Sequence, residues 1–327
     1  DSVLEGTFAQ GSFESPLTLR RGLLRGAARP QEPKPPFPYV SEELRIAGAA
    51  PGVQLEGTLT RAEAQSAPLL ILINGSGPLD RNSTILEHSP FWVLADQFSR
   101  AGLHVFRYDE RGVAASTGDF SQVTTADLAA DAAAIVKHFR ALPDFADSPI
   151  GVLGHSEGGL IATLLYQYLE PTLQPDFLIY FASPGLPGHE IISRQLALVM
   201  GEELLAANKQ LIDELTVQAR EPSMQSVWPE QVERALIEFY SGLSDVYRKQ
   251  LPDSATLISR SMQQMAKPWY RFYLQYDPVP DLEQLPDIPI LILNGKLDKQ
   301  VYWEENTNAI REALYAGGNQ QVTVRVF

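Results

Sequence analysis

The chain of 327 residues contains no cysteine. Thiolate nucleophiles, zinc–thiolate sites and disulfide bonds are therefore excluded, and the redox compartment is left open. No apolar run approaches the roughly 18 residues that a membrane-spanning helix needs, so no membrane span is expected. Positive charge is also scarce, since 26 lysines and arginines face 40 aspartates and glutamates, a net charge of −14. Such a surface repels polyanions, so neither nucleic acid nor an anionic membrane is expected as a partner.

What the chain does contain is an alternation of continuous apolar runs with stretches of helical periodicity. Apolar runs bounded by glycine or proline are typical of strands buried on both faces. The predicted strands are residues 68–75, 103–109, 149–155, 176–185, 288–295 and 321–327, and the predicted helices include residues 90–102, 124–142 and 301–318. This alternation predicts an α/β fold with a doubly wound, mostly parallel sheet. The ligand site of such a sheet lies beyond the carboxyl ends of its strands.

Changes of composition divide the chain into segments. Residues 29–40 hold five prolines and predict an extended linker. Residues 1–28 are too few to bury a core, and we interpret them as the remnant of a preceding β-rich domain or as an N-terminal arm. The α/β core is predicted over residues 41–185 and 288–327. Between these parts the alternation stops, and residues 186–287 predict a helical cap inserted over the site.

The stretch GVLGHSEGGLIA, residues 151–162, places Ser156 between a predicted strand and a predicted helix. A nucleophilic serine on a sharp strand-to-helix turn needs small residues two positions before and after it, because a Cβ there would clash. Gly154 and Gly158 occupy those positions. The helix that follows supplies free N–H groups and a positive dipole end. The pattern favours Ser156 as a nucleophile, with a structural serine in a turn as the alternative.

At this point the chain resembles the α/β-hydrolase superfamily, and within it the bacterial serine-aminopeptidase-like esterases and peptidases that carry a helical cap. The resemblance covers residues from about 40 to 327 and depends on four motifs in order. These are INGSGPLDRN (73–82), YDERGVAASTG (108–118), GHSEGG (154–159) and NGKLDKQV (294–301). It implies an α/β-hydrolase core, acyl-transfer chemistry and a triad whose order is serine, acid, histidine.

An ester or amide carbonyl attacked by the Ser156 hydroxyl becomes an oxyanion that needs two donors held in place beforehand. One is expected to be the backbone N–H of Glu157, the residue after the nucleophile. The other is expected from the loop after the strand at 68–75, at Ser76 or alternatively at Gly77. Asp298 follows a buried strand, where a carboxylate can orient an imidazole. Asp287 precedes that strand and would emerge at the opposite end of the sheet.

Two further charged pairs lie on loops next to these motifs. Asp109 and Arg111 are expected to pair with each other and to brace the loop beside the site. Asp80 and Arg81 lie closer to the oxyanion loop and are possible contacts to the polar end of a substrate.

A serine nucleophile needs a base, and no histidine follows Asp298 in the sequence. The histidines are His88, His104, His138, His155 and His189. His104 begins a predicted buried strand, and His138 lies on a predicted helix far in sequence from the loops at the strand ends. In the resembling family the histidine before the nucleophile points away from it, which leaves His88 and His189 as the internal candidates. That family carries its catalytic histidine on the loop after the last strand. We therefore expect the base beyond Phe327.

The sequence thus predicts a serine hydrolase that cleaves a small ester, thioester or amide through an acyl-enzyme, without metal or organic cofactor. A carboxylesterase is favoured over an aminopeptidase, because no site for a free amine can be recognised. Two alternatives stay open: a binding protein without catalysis on a hydrolase scaffold, and a dinucleotide-binding oxidoreductase. The oxidoreductase is disfavoured because GSGPLD lacks the third glycine of the phosphate-binding loop. Oligomeric state and compartment cannot be predicted.

Overall fold

The computed structural model describes residues 3–10, 13–20, 29–64, 67–199, 202–250 and 253–327. Most of the predicted N-terminal remnant lies on two short paired strands, while residues 21–28 lie outside the described residues. Strands and helices alternate over residues 69–181 and 290–326. The strands are β1 (Val3–Gln10), β2 (Phe13–Arg20), β3 (Tyr39–Ala47), β4 (Gln54–Ala62), β5 (Leu69–Ile73), β6 (His104–Tyr108), β7 (Ile150–His155), β8 (Phe177–Phe181), β9 (Ile290–Asn294) and β10 (Val322–Val326).

The helices fall into two groups, those between strands of the sheet and a long run between β8 and β9. They are α1 (Pro90–Arg100), α2 (Thr125–Ala141), α3 (Glu157–Leu164), α4 (Gly188–Val199), α5 (Glu202–Arg220), α6 (Trp228–Gly242), α7 (Asp245–Gln250), α8 (Ser254–Met265), α9 (Pro268–Gln275), α10 (Val279–Leu282) and α11 (Trp303–Ala316). Local sequence accounts for individual ends. Helix α2, for example, begins with a capping box in which Thr124 and Asp127 satisfy each other's backbone N–H groups.

Strands β3 to β10 form one sheet in the order β10-β9-β8-β7-β5-β6-β4-β3. The pairs from β10 to β6 are parallel, and β4 and β3 continue the sheet antiparallel. The predicted fold class, an α/β fold with a doubly wound and mostly parallel sheet, is confirmed. Because parallel strands end at the same edge, the loops after β5, β6, β7 and β9 converge there.

The central strand β5 shows why the sheet is covered on both faces. Its five residues, Leu69–Ile73, are all buried. Leu69 and Ile71 join a large apolar cluster with α2, whereas Leu70 and Leu72 join Phe91 of α1 on the opposite face. A strand that packs on both sides has to be apolar throughout, which is the pattern its sequence carries.

The segment between β8 and β9 contains α4 to α10 and no strand among its described residues. These helices enclose an apolar cluster of their own, with Ile212, Trp228 and Tyr273 at its centre, and Leu160 of α3 belongs to the same cluster. Since α3 follows directly on Ser156, the helical segment packs against the element that carries the elbow. The division of the chain into remnant, linker, core and cap stays a prediction in its boundaries.

Candidate active site

Ser156 lies between the last residue of β7 and the first residue of α3. Its backbone has φ 53° and ψ −123°, a region that a residue with a Cβ seldom occupies. Backbone strain of this kind persists only where the surroundings impose it, and here β7 and α3 hold the two sides of the turn. The side chain is half-buried. This is the geometry of a nucleophile elbow, which exposes a hydroxyl at the edge of the sheet.

The glycines that flank the elbow are required by close backbone approach. A Cβ on Gly154 would lie 2.5 Å from the nitrogen of Gly159 and still closer to the carbonyl of Gly158. A Cβ on Gly158 would lie 2.5 Å from the carbonyl oxygen of Asn74. The turn is therefore packed against itself on one side and against the end of β5 on the other.

The loop after β5 runs directly past the elbow. A Cβ on Gly75 would lie 3.1 Å from the Cβ of Ser156, so the backbone here approaches the candidate nucleophile. Ser76 and Gly77 come next, and Gly77 has φ +103°. On the other side of Ser156, the N–H of Glu157 is the first of α3 and has no acceptor within the helix. The two predicted oxyanion donors thus belong to segments that meet at Ser156.

Two buried acids of the 108–118 motif hold the loop after β5. The Oε2 atom of Glu110 accepts a hydrogen bond of 2.9 Å from the N–H of Leu79. Asp109 accepts from the backbone N–H of Arg81 and forms a two-pronged ion pair with its guanidinium, with an Nη2–Oδ2 distance of 2.7 Å. Hydrogen bonds from Arg81 outweigh the effect of burial and lower the pKa of Asp109, whereas burial raises the pKa of Glu110 well above its usual range.

The expected pair between Asp109 and Arg111 does not form. Arg111 instead donates from Nε to Asp131 of α2 at 2.6 Å, and Asp109 pairs with Arg81. The two side chains leave the loop toward different elements, so Asp109 braces the loop after β5 and Arg111 braces α2. The prediction from sequence proximity was wrong because both residues have partners far along the chain.

Asp80 and Arg81, the predicted substrate contacts, have extensive contacts within the protein. Asp80 accepts from the N–H groups of Asn82 and Thr84 and so closes a turn. The guanidinium of Arg81 also contacts Glu43 and the hydroxyl of Thr58. Their substrate contact stays a prediction, and these bonds give both residues a bracing function.

Asp298 follows β9 at the same edge of the sheet as Ser156. Its Oδ1 atom accepts from the N–H groups of Gln300 and Val301, at 2.8 and 3.0 Å, which fixes the carboxylate on its loop. Strand β8 separates β9 from β7, so the two strand ends are two strand spacings apart, about 10 Å. Asp287 accepts from the N–H of Gln320 near the start of β10, at the opposite end of the sheet as expected.

No hydrogen bond found among the described residues joins a histidine to Ser156 or Asp298. His155 packs its ring against Phe181, with 5.6 Å between centroids, and burial lowers its pKa although Asp298 opposes that shift. The Nδ1 atoms of His88 and His189 are buried without a hydrogen-bond partner among the described residues, and His104 accepts from the N–H of Ala62. The base expected beyond Phe327 stays a prediction.

The side chain of Glu157 was not singled out from the sequence, where only its N–H was assigned. It is 1% exposed, and its Oε1 atom accepts from the hydroxyl of Thr125 and from Nε1 of Trp269, both at 2.7 Å. Burial raises the pKa of this carboxyl, while the nearby Ser76 hydroxyl opposes the rise. An acidic residue inside GHSEGG, next to an apolar helix, was the available signal. No sequence signal indicated its partner Trp269, which lies 112 residues away.

Over the part of the chain that the structure describes, no helix is long and apolar enough to cross a membrane. No group of three or more histidine or acidic side chains able to hold a metal ion is found in the same residues.

Comparison with known proteins agrees with this architecture. The family described as serine aminopeptidase, S33, matches residues 87–326. Esterase EstD of Thermotoga maritima is 28% identical over 129 residues, which are 39% of this chain and 30% of EstD. The matched part therefore spans less than a third of that relative.

Solved structures extend the likeness to almost the whole chain. An esterase of Pyrococcus furiosus, Pf2001, superposes with a TM-score of 0.56 at 14% identity, covering 93% of this chain and 86% of that one. A thermostable carboxyl esterase from Bacillus coagulans gives 0.52 at 17% identity, covering 88% and 89%. At such identities the likeness concerns the fold. With the family match over most of the chain, the predicted resemblance is confirmed: the chain belongs to the serine aminopeptidase S33 family of α/β hydrolases.

Proposed function

We propose that the protein is a serine hydrolase that cleaves small carboxylic esters through an acyl-enzyme intermediate, with Ser156 as the nucleophile. The observation that carries the proposal is the strained backbone of Ser156, φ 53°, at a strand-to-helix turn closed by Gly154 and Gly158. A serine in an ordinary glycine-rich turn has no need of this strain, which aims the hydroxyl at the edge of the sheet.

In the first half of the reaction the Ser156 oxygen attacks the ester carbonyl, and its proton passes to a base. The carbonyl oxygen becomes an oxyanion that accepts hydrogen bonds from the backbone N–H groups of Glu157 and Ser76. Collapse of this intermediate breaks the bond to the alcohol oxygen, which leaves with the proton from the base. In the second half, water gives its proton to the same base and attacks the acyl group, and the base returns that proton to the Ser156 oxygen as the carboxylic acid leaves.

Asp298 is the proposed acid of the triad, since its carboxylate is fixed on its loop by two backbone N–H groups. Its task is to orient an imidazole and stabilise the imidazolium. The end of β10 lies beside this loop, because the N–H of Lys296 donates a hydrogen bond of 2.7 Å to the carbonyl of Phe327. The histidine predicted to follow β10 would therefore enter the site next to Asp298.

An ester substrate is favoured over a peptide by the relatives, since EstD and the two superposed structures are named as esterases. The family itself is named for aminopeptidases, so the leaving group is the property that the assay has to decide.

The test is hydrolysis of p-nitrophenyl esters of graded acyl length, beside aminoacyl p-nitroanilides, by the 327-residue chain and its Ser156→Ala variant. Because a triad without its base loses about as much rate as one without its nucleophile, we expect slow ester hydrolysis by both proteins in the absence of an added base. No histidine among the described residues hydrogen-bonds to the Ser156 side chain, so added imidazole should accelerate ester hydrolysis by the wild type and leave Ser156→Ala unchanged. Equal ester hydrolysis by both proteins in the presence of imidazole would refute Ser156 as nucleophile. A rate insensitive to imidazole but lost in His88→Ala or His189→Ala would move the base inside the chain.

A further inference from the structure

We propose that the carboxyl group of Glu157 is a positioning residue that couples helix α9 to the oxyanion hole, through its hydrogen bond with Trp269. The inference rests on the proposed function and adds a residue from the helical segment to it. Glu157 supplies one expected oxyanion donor through its backbone, and its side chain reaches the cap through Trp269 Nε1 at 2.7 Å. Backbone donor and cap contact thus belong to one residue.

The carboxyl group lies where three segments meet. Thr125 is the first residue of α2 and donates its hydroxyl to Oε1 at 2.7 Å, so the core holds the same oxygen as the cap. Ser76, the other expected donor, has its hydroxyl near the carboxyl group, where it lowers the pKa. The Oε2 atom has no partner that meets hydrogen-bond geometry among the described residues. One side chain is therefore in contact with, or close to, both halves of the oxyanion hole.

The cap side of this contact is rigid. The indole of Trp269 stacks on the ring of Tyr273, with 5.0 Å between centroids and 27° between planes. Tyr273 is 4% exposed and belongs to the apolar cluster of the helical segment. The direction of the indole N–H is thus set by the packing of α9, and any shift of α9 relative to α3 breaks or bends the bond.

If the contact between Glu157 and α9 were purely structural, a carboxyl group would be an unfavourable side chain for it. Within the described residues Glu157 forms no ion pair, and burial raises its pKa. The buried carboxyl of Glu110 lies close enough for Glu157 to raise its pKa further. An unpaired acid buried at such a position costs stability that a well-packed apolar side chain would not. Its benefit lies in the strong acceptor that it offers to two donors from different segments.

Two kinds of effect of the cap on the kinetics can therefore be distinguished. A cap that only contacts the substrate changes KM, whereas a cap that orients an oxyanion donor changes kcat. Loss of the Trp269 bond removes one of two anchors from Glu157, and the N–H of the same residue then samples directions away from the oxyanion. Removal of a whole oxyanion donor costs about 10²- to 10³-fold in kcat. A misdirected donor should cost less, about tenfold.

The first experiment, run with imidazole added as the base, compares Trp269→Phe, which keeps the stack on Tyr273 and removes the N–H, with Glu157→Gln and Glu157→Leu. We expect Trp269→Phe and Glu157→Leu each to lower kcat about tenfold with KM within about twofold. Glu157→Gln keeps an acceptor oxygen and should restore most of the rate. The double variant that combines Trp269→Phe with Glu157→Leu should lose little more than either single variant, because one bond is removed twice.

Trp92→Phe is the matched control, since Trp92 lies on α1 and makes no hydrogen bond to the elbow among the described residues. It should leave kcat and KM unchanged. A pure KM effect in Trp269→Phe, or losses that add in the double variant, would overturn the coupling. If Glu157→Leu does not fold, Trp269→Phe and Glu157→Gln decide the question by themselves.

A second measurement does not depend on activity. The indole ¹H–¹⁵N signal of Trp269, assigned by its loss in Trp269→Phe, should be protected from solvent exchange and should move in Glu157→Leu but little in Glu157→Gln. If the indole signal does not move in Glu157→Leu, the contact between Trp269 and Glu157 is refuted. Absence of imidazole-assisted turnover that depends on Ser156 would instead refute the proposed function and the catalytic part of this inference, while the indole signal still decides whether α9 and Glu157 are coupled.

Discussion

Replacement of Gly154 by alanine adds one methyl group at the tightest backbone contact of the elbow. The new Cβ would lie 2.5 Å from the nitrogen of Gly159, whereas ordinary contacts begin at 3.4 Å. The backbones must therefore separate by about 0.9 Å at that contact, and more at the carbonyl of Gly158, which is nearer still. Both atoms belong to the first turn of α3, so no flexible side chain can yield instead.

Overpacking of this kind costs about 3 kcal/mol. A shift of about 1 Å in the elbow should also lower kcat/KM for p-nitrophenyl esters by about 10²-fold, because catalytic groups tolerate little displacement. Urea unfolding followed by circular dichroism measures the first effect, and the ester assay measures the second.

The control is Gly242→Ala at the end of α6, where an added Cβ meets nothing within 4 Å. That variant should be neutral or gain up to about 1 kcal/mol, since alanine restricts the unfolded chain more than glycine does. If Gly154→Ala unfolds at the same urea concentration as Gly242→Ala and keeps its activity, the packing of the elbow described above is wrong.

Two further predictions concern Glu110 and Asp109, the buried acids that hold the loop after β5. Burial raises the pKa of Glu110 in the folded chain, so the stability it contributes is complete below the unfolded pKa and is lost as the pH rises through the folded value. Glu110→Gln stays neutral and should flatten the fall in Tm as the pH rises above about 4.3, the ordinary pKa of a glutamate; an unchanged pH profile would contradict the buried acid. Arg81→Met leaves the buried Asp109 without its cation and should cost about 3 kcal/mol in urea unfolding, whereas Arg248→Met, at an exposed pair with Asp245, should cost under about 1 kcal/mol. Equal losses in these two variants would show that burial of Asp109 is unimportant.

Much of the fold could be predicted because its signals are local. Apolar runs such as Leu69–Ile73 identify strands that pack on both faces, and their alternation with helical periodicity specifies a parallel sheet. The signal for the elbow is also local, because glycines two residues on either side of Ser156 allow a backbone that other residues would obstruct. The placement of Asp298 after a buried strand needed only the rule that parallel strands end at one edge.

The partners of charged side chains were decided by the tertiary structure. Asp109 pairs with Arg81 and Arg111 with Asp131, although Asp109 and Arg111 are two residues apart. Such choices depend on which elements pack against a loop, and periodicity carries no information about that.

The same holds for the site as a whole. The sequence by itself determined the order of strands and helices, the strained turn at Ser156 and the edge of the sheet at which acyl transfer is proposed. Only the tertiary structure brought Trp269 to the carboxyl of Glu157, across 112 residues of chain. The physical reason is that turns and strands follow from the conformational limits of neighbouring residues, whereas a hydrogen bond between distant segments exists only once their apolar surfaces have packed.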